Sequence, residues 1–225
     1  MELEREVRIP AGAATLDGNL AVPEGAGGIV LFAHGSGSSR HSPRNRFVAQ
    51  MLNGSGLATL LFDLLTPAEE AVDLHTRQHR FDIGLLAERL AAATAWVGQE
   101  SAVCGLRVGY FGSSTGGGGA LVAAARNPEP IGAVVSRGGR PDLAGAALPR
   151  VQAPTLLIVG GADNVVIDLN REAMAQMHCE VKLELVPGAT HLFEEPGALE
   201  KVARLASEWF ARHLSARRSS GLEPH

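Results

Sequence analysis

The sequence predicts an α/β fold, a mainly parallel sheet covered by helices on both faces. Three observations lead there. Short, unbroken runs of Val, Ile, Leu and Phe recur along the chain, the pattern of strands buried on both faces. Segments with helically spaced apolar residues alternate with these runs, as in βαβ units. The chain has 225 residues and 45% apolar content, with no internal repeat, heptad run or linker, which suits one compact core. We therefore expect a single domain over residues 1–214 and a disordered tail over 215–225.

Taken in order, Glu6 to Ile9 and Ala14 to Val22 read as an antiparallel hairpin at the sheet edge, joined by a Gly-containing turn. Ile29 to Ala33 is the first buried strand. Arg44 to Leu52 reads as a short helix ending near Gly54, and Ala58 to Phe62 as a strand ending at Asp63. The stretch with His75 and His79 reads as a charged loop. Phe81 to Val97 is a long amphipathic helix with Ile83, Leu86, Leu90 and Trp96 near one face. A strand from Val108 to Phe111 and an Ala/Leu/Val-rich helix follow. The remaining elements are strands Ile131 to Val135 and Thr155 to Val159, helix Leu169 to Met177, strand Lys182 to Val186 and helix Leu199 to Leu214. Between Ser136 and Thr155 there is no room for a cap domain, so the cleft should be open.

The most informative stretch is Gly112-Ser113-Ser114-Thr115-Gly116, a G-x-S-x-G pattern between a strand and a helix. A serine at the centre of so tight a turn is strained, and the flanking glycines let strand and helix approach. Its Oγ projects above the sheet edge, at the positive end of a helix. Ser114 is thus the candidate nucleophile. A Gly-rich turn before a helix can also cradle phosphate, but no Gly-Lys-Ser/Thr follows, and GxxxGGGG is a weak match to a dinucleotide fingerprint. Close helix packing by Gly116 to Gly119 is compatible with catalysis.

A serine hydroxyl needs a base, and the base needs an orienting group. Two downstream strand ends supply candidates. The apolar run Thr155 to Val159 ends at Gly160-Gly161-Ala162-Asp163, and the strand Lys182 to Val186 ends at Pro187-Gly188-Ala189-Thr190-His191. Loops at the carboxyl ends of parallel strands converge on one edge. Of the eight histidines, only His191 sits on a strand-end loop approached by Pro-Gly. Asp168 competes with Asp163, but reads better as the N-cap of a helix starting at Leu169. For the oxyanion hole, the loop His34-Gly35-Ser36 after an early strand offers the Ser36 N–H, and the residue after the nucleophile offers the Thr115 N–H.

On these residues the chain resembles an α/β-hydrolase of the dienelactone-hydrolase-like type. The carriers are the Gly112–Gly116 elbow, Gly160-Gly161-Ala162-Asp163 and the turn ending in His191. The resemblance implies an α/β-hydrolase fold without a cap, with Ser114 as nucleophile, Asp163 as acid and His191 as base. It departs at the nucleophile, where dienelactone hydrolases proper have cysteine. The implied activity is hydrolysis of small carboxylic esters or lactones, with no metal or organic cofactor. Thioester, amide or peptide cleavage on the same fold remains an alternative, as does a non-catalytic binding module.

Charge and composition narrow the partners. The formal charge is −4 and no basic run stands out, which argues against nucleic acid. Cys104 and Cys179 are too few for a disulfide framework and have no metal-ligand neighbours. No signal-like segment and no bilayer-length apolar run is present, so a cytoplasmic protein that acts on a small molecule and needs no membrane is expected. Arg40, His41 and Arg44 on the oxyanion-side loop, and Arg137 past a strand's carboxyl end, are candidate substrate-binding residues. A guanidinium fork suits a carboxylate or phosphate, although a solvated or structural role fits these arginines as well.

Overall fold

The computed structural model describes residues 3–214. They form an eight-stranded sheet in the order β1-β2-β4-β3-β5-β6-β7-β8. Here β1 is Leu3–Ala11, β2 Ala14–Val22, β3 Ile29–Ala33, β4 Ala58–Phe62, β5 Val108–Ser113, β6 Ile131–Arg137, β7 Thr155–Gly160 and β8 Val181–Val186. Strands β1 and β2 form the antiparallel edge hairpin, β2 also runs antiparallel to β4, and every pair from β4 to β8 is parallel. The expected tail over 215–225 lies outside the described residues.

Every residue of β3, β4, β5, β6 and β7 is buried, as their unbroken apolar runs require. Alternate residues serve two separate cores. Ile29, Leu31, Leu60, Phe62, Tyr110 and Val134 face one side, and Val30, Phe32, Leu61, Phe111, Val135 and Ile158 the other. Helices α1 (Pro43–Gly54) and α6 (Ala198–Leu214) cover the second side. On α6, Val202, Ala203, Ala206, Trp209, Phe210 and Leu214 recur at helical spacing and are all buried. The first side is covered by α3 (Ile83–Val97), α4 (Thr115–Arg126), a 3₁₀ segment Pro141–Arg150 kinked at Gly145, and α5 (Asn164–Met174). Between β6 and β7 the chain inserts only that 3₁₀ segment, and so carries no cap there.

Two expectations are corrected. The stretch around His75 is not a loop but helix α2, Pro67–Thr76. A full capping box starts it, with the Glu69 N–H donating to Thr66 Oγ1 and the Thr66 N–H to Glu69 Oε2 at 2.7 Å. Helix α5 begins at Asn164 rather than Leu169. Asp163 holds its N-cap position, while Asp168 lies mid-helix, exposed, beside Arg171 at 3.4 Å.

Candidate active site

The loops at the carboxyl ends of β3, β5, β6 and β7 and the loop after β8 meet at one edge, and Ser114 stands there between β5 and α4. Its backbone has φ 51° and ψ −123°, a positive φ that costs a non-glycine residue about 1–3 kcal/mol. The close approach behind it requires glycine. A Cβ on Gly112 would stand 2.6 Å from Gly117 Cα, and one on Gly116 would collide with the carbonyls that end β3. Of the elbow residues only Ser114 is not buried. Ser113 is buried, its Oγ donating to Asn45 Oδ1 at 3.2 Å.

Asp163 makes no capping bond to α5. Its Oδ2 instead accepts from the His191 ring at Nδ1, 2.8 Å away. A carboxylate is acceptor-only, so this contact places the proton on Nδ1 and leaves Nε2 free to take one. The His191 loop is pinned on both sides. Thr190 donates to Glu195 Oε1 from its backbone at 3.0 Å and from its hydroxyl at 2.6 Å. Phe193 is fully buried with φ 56°, an unusual conformation for so bulky a residue that its packing must hold. Ser114 and His191 line one cavity of about 230 Å³, together with Gly35, Ser36, Ser38, Ser42, Arg44 and Arg137.

The loop after β3 closes the other side. A Cβ on Gly35 would lie 3.1 Å from Ser114 Cβ, so this loop stacks directly on the elbow. Ser36 Oγ lies 3.0 Å from Thr115 Oγ1, tying the two candidate oxyanion donors to each other. His34, 8% exposed, braces the loop from beneath. The Leu64 N–H donates to its Nε2 and its Nδ1 lies against Gly35 O, each at 3.0 Å. Burial lowers the His34 pKa below 6.5, which keeps the ring neutral and suited to both bonds. Sequence reasoning left His34 and Glu195 without a role at the site. The His-Gly dipeptide was a visible signal for the first, whereas the second contacts Thr190 only because the loop folds back.

The four candidate substrate residues separate. Arg40 is turned away and bound to Asp63, through its backbone N–H at 2.8 Å and its guanidinium. His41 is exposed and, with Arg40, lines a different cavity. Asp63 follows β4 directly. Arg44 and Arg137 do reach the Ser114 cavity. Arg44 bonds Glu194 at 3.1 Å on the rim. Arg137 is 8% exposed, lies 5.9 Å over the Phe193 ring, and has no partner for Nε or Nη1. Burial, reinforced by Arg44, lowers its pKa to about 10. Among the described residues no cluster of three or more His, Cys, Asp or Glu is arranged to hold a metal ion, and no helix is long and apolar enough to cross a membrane.

The family model of dienelactone hydrolases matches residues 16–216. The chain belongs to the dienelactone hydrolase family. A solved dienelactone hydrolase from Anabaena variabilis is 62% identical, with a TM-score of 0.93, covering 95% of this chain and 99% of that one. Est1E from Butyrivibrio proteoclasticus, solved with ferulic acid bound, shares the fold at 17% identity and a TM-score of 0.79, covering 93% of this chain and all of its own. A Mycobacterium tuberculosis protein named a putative phosphoribosyl transferase is 58% identical over 97% of this chain. The match takes in 48% of that protein, so the chain spans about half the length of this curated relative. The mainly parallel sheet and its helices are thus an α/β-hydrolase fold, and the family is one of hydrolases.

Proposed function

We propose that the protein is a serine hydrolase of small carboxylic esters or lactones, working through Ser114, His191 and Asp163. The observation that carries this reading is the 2.8 Å contact of Asp163 with His191 Nδ1 at a cavity that His191 shares with a positive-φ Ser114. His191 Nε2 takes the Ser114 proton as Oγ attacks the ester carbonyl. Asp163 holds the ring in the required tautomer and stabilises the imidazolium. The Ser36 and Thr115 N–H groups receive the oxyanion. His191 then protonates the leaving alcohol as the C–O bond breaks, leaving an acyl group on Ser114. A water, deprotonated by His191, releases the acid and restores the serine. With no cap between β6 and β7, the cleft favours short or accessible acyl groups.

The transferase name belongs to a protein of which this chain matches about half, and the Asp163–His191 contact beside Ser114 supports acyl chemistry over it. The test combines labelling with turnover. A fluorophosphonate should add one mass increment to the wild type and none to Ser114→Ala, and short-chain esters should be hydrolysed only by the former. Equal labelling of both proteins would remove Ser114 as the nucleophile.

A further inference from the structure

Helix α5 carries a residue at odds with its surroundings. Asn170 is fully buried in the helix interior. Asparagine is a poor helix former, and a buried amide costs free energy wherever one of its polar atoms goes unpaired. Its Oδ1 has no hydrogen-bond partner among the described residues. An apolar side chain of the same shape would suit the helix better. What Asn170 supplies instead is a pair of donors. Nδ2 donates to Val166 O, one turn back in α5, at 2.8 Å, and to Gly139 O, in the loop after β6, at 3.1 Å.

That loop, residues 137–140, touches both Ser114 and His191. Arg137 O accepts from the Ser114 N–H at 3.3 Å, and the Arg140 N–H donates to Ser114 O at 3.0 Å. The loop therefore holds both backbone groups of the strained elbow residue. Gly138, with φ 50°, packs on His191: a Cβ there would stand 3.2 Å from His191 O and 3.6 Å from ring Cε1. Cε1 is the carbon between the two ring nitrogens. Gly139 packs on α4, where a Cβ on Gly117 would lie 3.1 Å from Gly139 Cα. Neither Gly138 nor Gly139 has a side chain with which to hold its place, and glycine has the widest choice of backbone conformation. The Asn170 amide supplies an anchor from outside the loop.

The other end of that anchor is the helix of the acid. Asp163 is the N-cap of α5, seven residues before Asn170. Seven residues are close to two turns, so the two side chains share a face. Asp163 in turn holds His191 Nδ1 at 2.8 Å. One hydrogen of the Asn170 amide thus goes to the helix that carries the acid. The other goes to the loop that carries the Ser114 backbone bonds and abuts the His191 ring.

We infer that Asn170 is a positioning residue: by tying Gly139 to α5, it sets the separation of His191 from Ser114. Proton transfer between Oγ and Nε2 requires hydrogen-bond distance, and a misplacement of about 1 Å can cost on the order of 10²-fold in rate. Asn170 is sealed from the cleft and acts through the loop.

This role rests on the reading of Ser114, His191 and Asp163 as a triad, so the experiment has one arm that needs no turnover. Asn170→Leu keeps the shape of the amide without its donors. Asn170→Ser offers a hydroxyl that can return to Val166 O, as Thr94 Oγ1 does to Leu90 O at 2.9 Å, but ends one atom short of Nδ2 and so loses Gly139. With a short-chain ester, kcat should fall about ten- to a hundredfold in both variants, with KM within about threefold of wild type. Asn170→Ser keeps the test decisive should Asn170→Leu fail to fold. In the second arm, the His191 Cε1–H resonance, assigned by its loss in His191→Asn, should shift in both variants, while that of exposed His75 on α2 stays in place. Wild-type kcat in Asn170→Ser would mean that the bond within α5 is all that matters, and overturns the inference. A loss confined to KM, or an unmoved His191 resonance, overturns it as well. A shifted His191 resonance in a protein that hydrolyses no ester leaves the tie from Asn170 to His191 standing and removes the hydrolase reading.

Discussion

His34 offers a sharp test of how the oxyanion side is built. Its two ring nitrogens have opposite duties. Nε2 accepts from the Leu64 N–H at 3.0 Å, so the proton sits on Nδ1, which donates to Gly35 O at 3.0 Å. In a trans peptide the carbonyl and the following N–H point in opposite directions. Fixing the Gly35 carbonyl against His34 therefore fixes the direction of the Ser36 N–H, the candidate oxyanion donor. Asparagine places an amide N–H near Nδ1, while glutamine places a carbonyl oxygen near Nε2. His34→Asn thus keeps the bond to Gly35 O and loses the one to Leu64, and His34→Gln does the reverse. A carbonyl left without its partner costs about 1–3 kcal/mol, which the peptide relieves by rotating. That rotation carries the Ser36 N–H away, so kcat of His34→Gln should fall about 5- to 150-fold. Loss of an entire oxyanion donor sets the ceiling, at about 10²–10³. KM should stay within about threefold, because the donor acts mainly on the transition state. Steady-state kinetics on one short-chain ester, with melting temperatures to confirm folding, reads the difference. Equal kcat in the two variants, or a loss that appears in KM alone, would refute the link from His34 through the Gly35–Ser36 peptide to catalysis.

Three further outcomes are expected. Asp163→Asn should lower kcat by roughly 10⁴-fold through the wrong imidazole tautomer; Asp168→Asn, mid-helix and exposed, should leave kcat within about twofold and stability within about 0.5 kcal/mol. Removing the Thr115 hydroxyl with Thr115→Val breaks its contact with Ser36 Oγ, and should lower kcat by less than the roughly 10²-fold loss of a donor, since both N–H groups remain. Because His34 has a folded pKa below its unfolded 6.5, the unfolded chain binds the extra proton; its contribution to stability is full above about pH 6.5 and is lost as the pH falls below it. Denaturant melts from pH 7.5 to 5 should show that loss, reduced in His34→Gln; an identical pH dependence in the two proteins would assign it to other groups.

The catalytic candidates were legible because each is announced by its own neighbours in the chain. Glycine spacing around Ser114 reports a close approach of strand and helix, and Gly-Gly or Pro-Gly after an apolar run reports a strand end; the parallel order of the sheet then gathers those ends. What local pattern could not give was the choice among polar partners. Arg40 and Arg137 look alike in sequence, each past the end of a strand. Asp63, fixed by the end of β4, takes the first, while the second is buried over the Phe193 ring, its Nε and Nη1 without a hydrogen-bond partner among the described residues. The start of α5 was misplaced for a related reason. Val165, Val166 and Ile167 are β-branched and read poorly as a helix, yet the turn at Gly160-Gly161 commits the chain to one, with Val166 and Ile167 buried.

Asp163 shows how the two levels join. It occupies an N-cap position, where an aspartate ordinarily satisfies the first free N–H groups of its helix and contributes about 1 kcal/mol. Here its carboxylate makes no such bond and turns to His191. Ser114 likewise stands at the N-cap of α4 with no capping bond from its hydroxyl. At both helix starts a residue well suited to stabilise the fold leaves that role unfilled, and its oxygen faces the edge where His191 lies. The loops after β5 and β7 lie at the same carboxyl edge of the sheet, and stability forgone at both helix starts is what a reactive site at that edge would require.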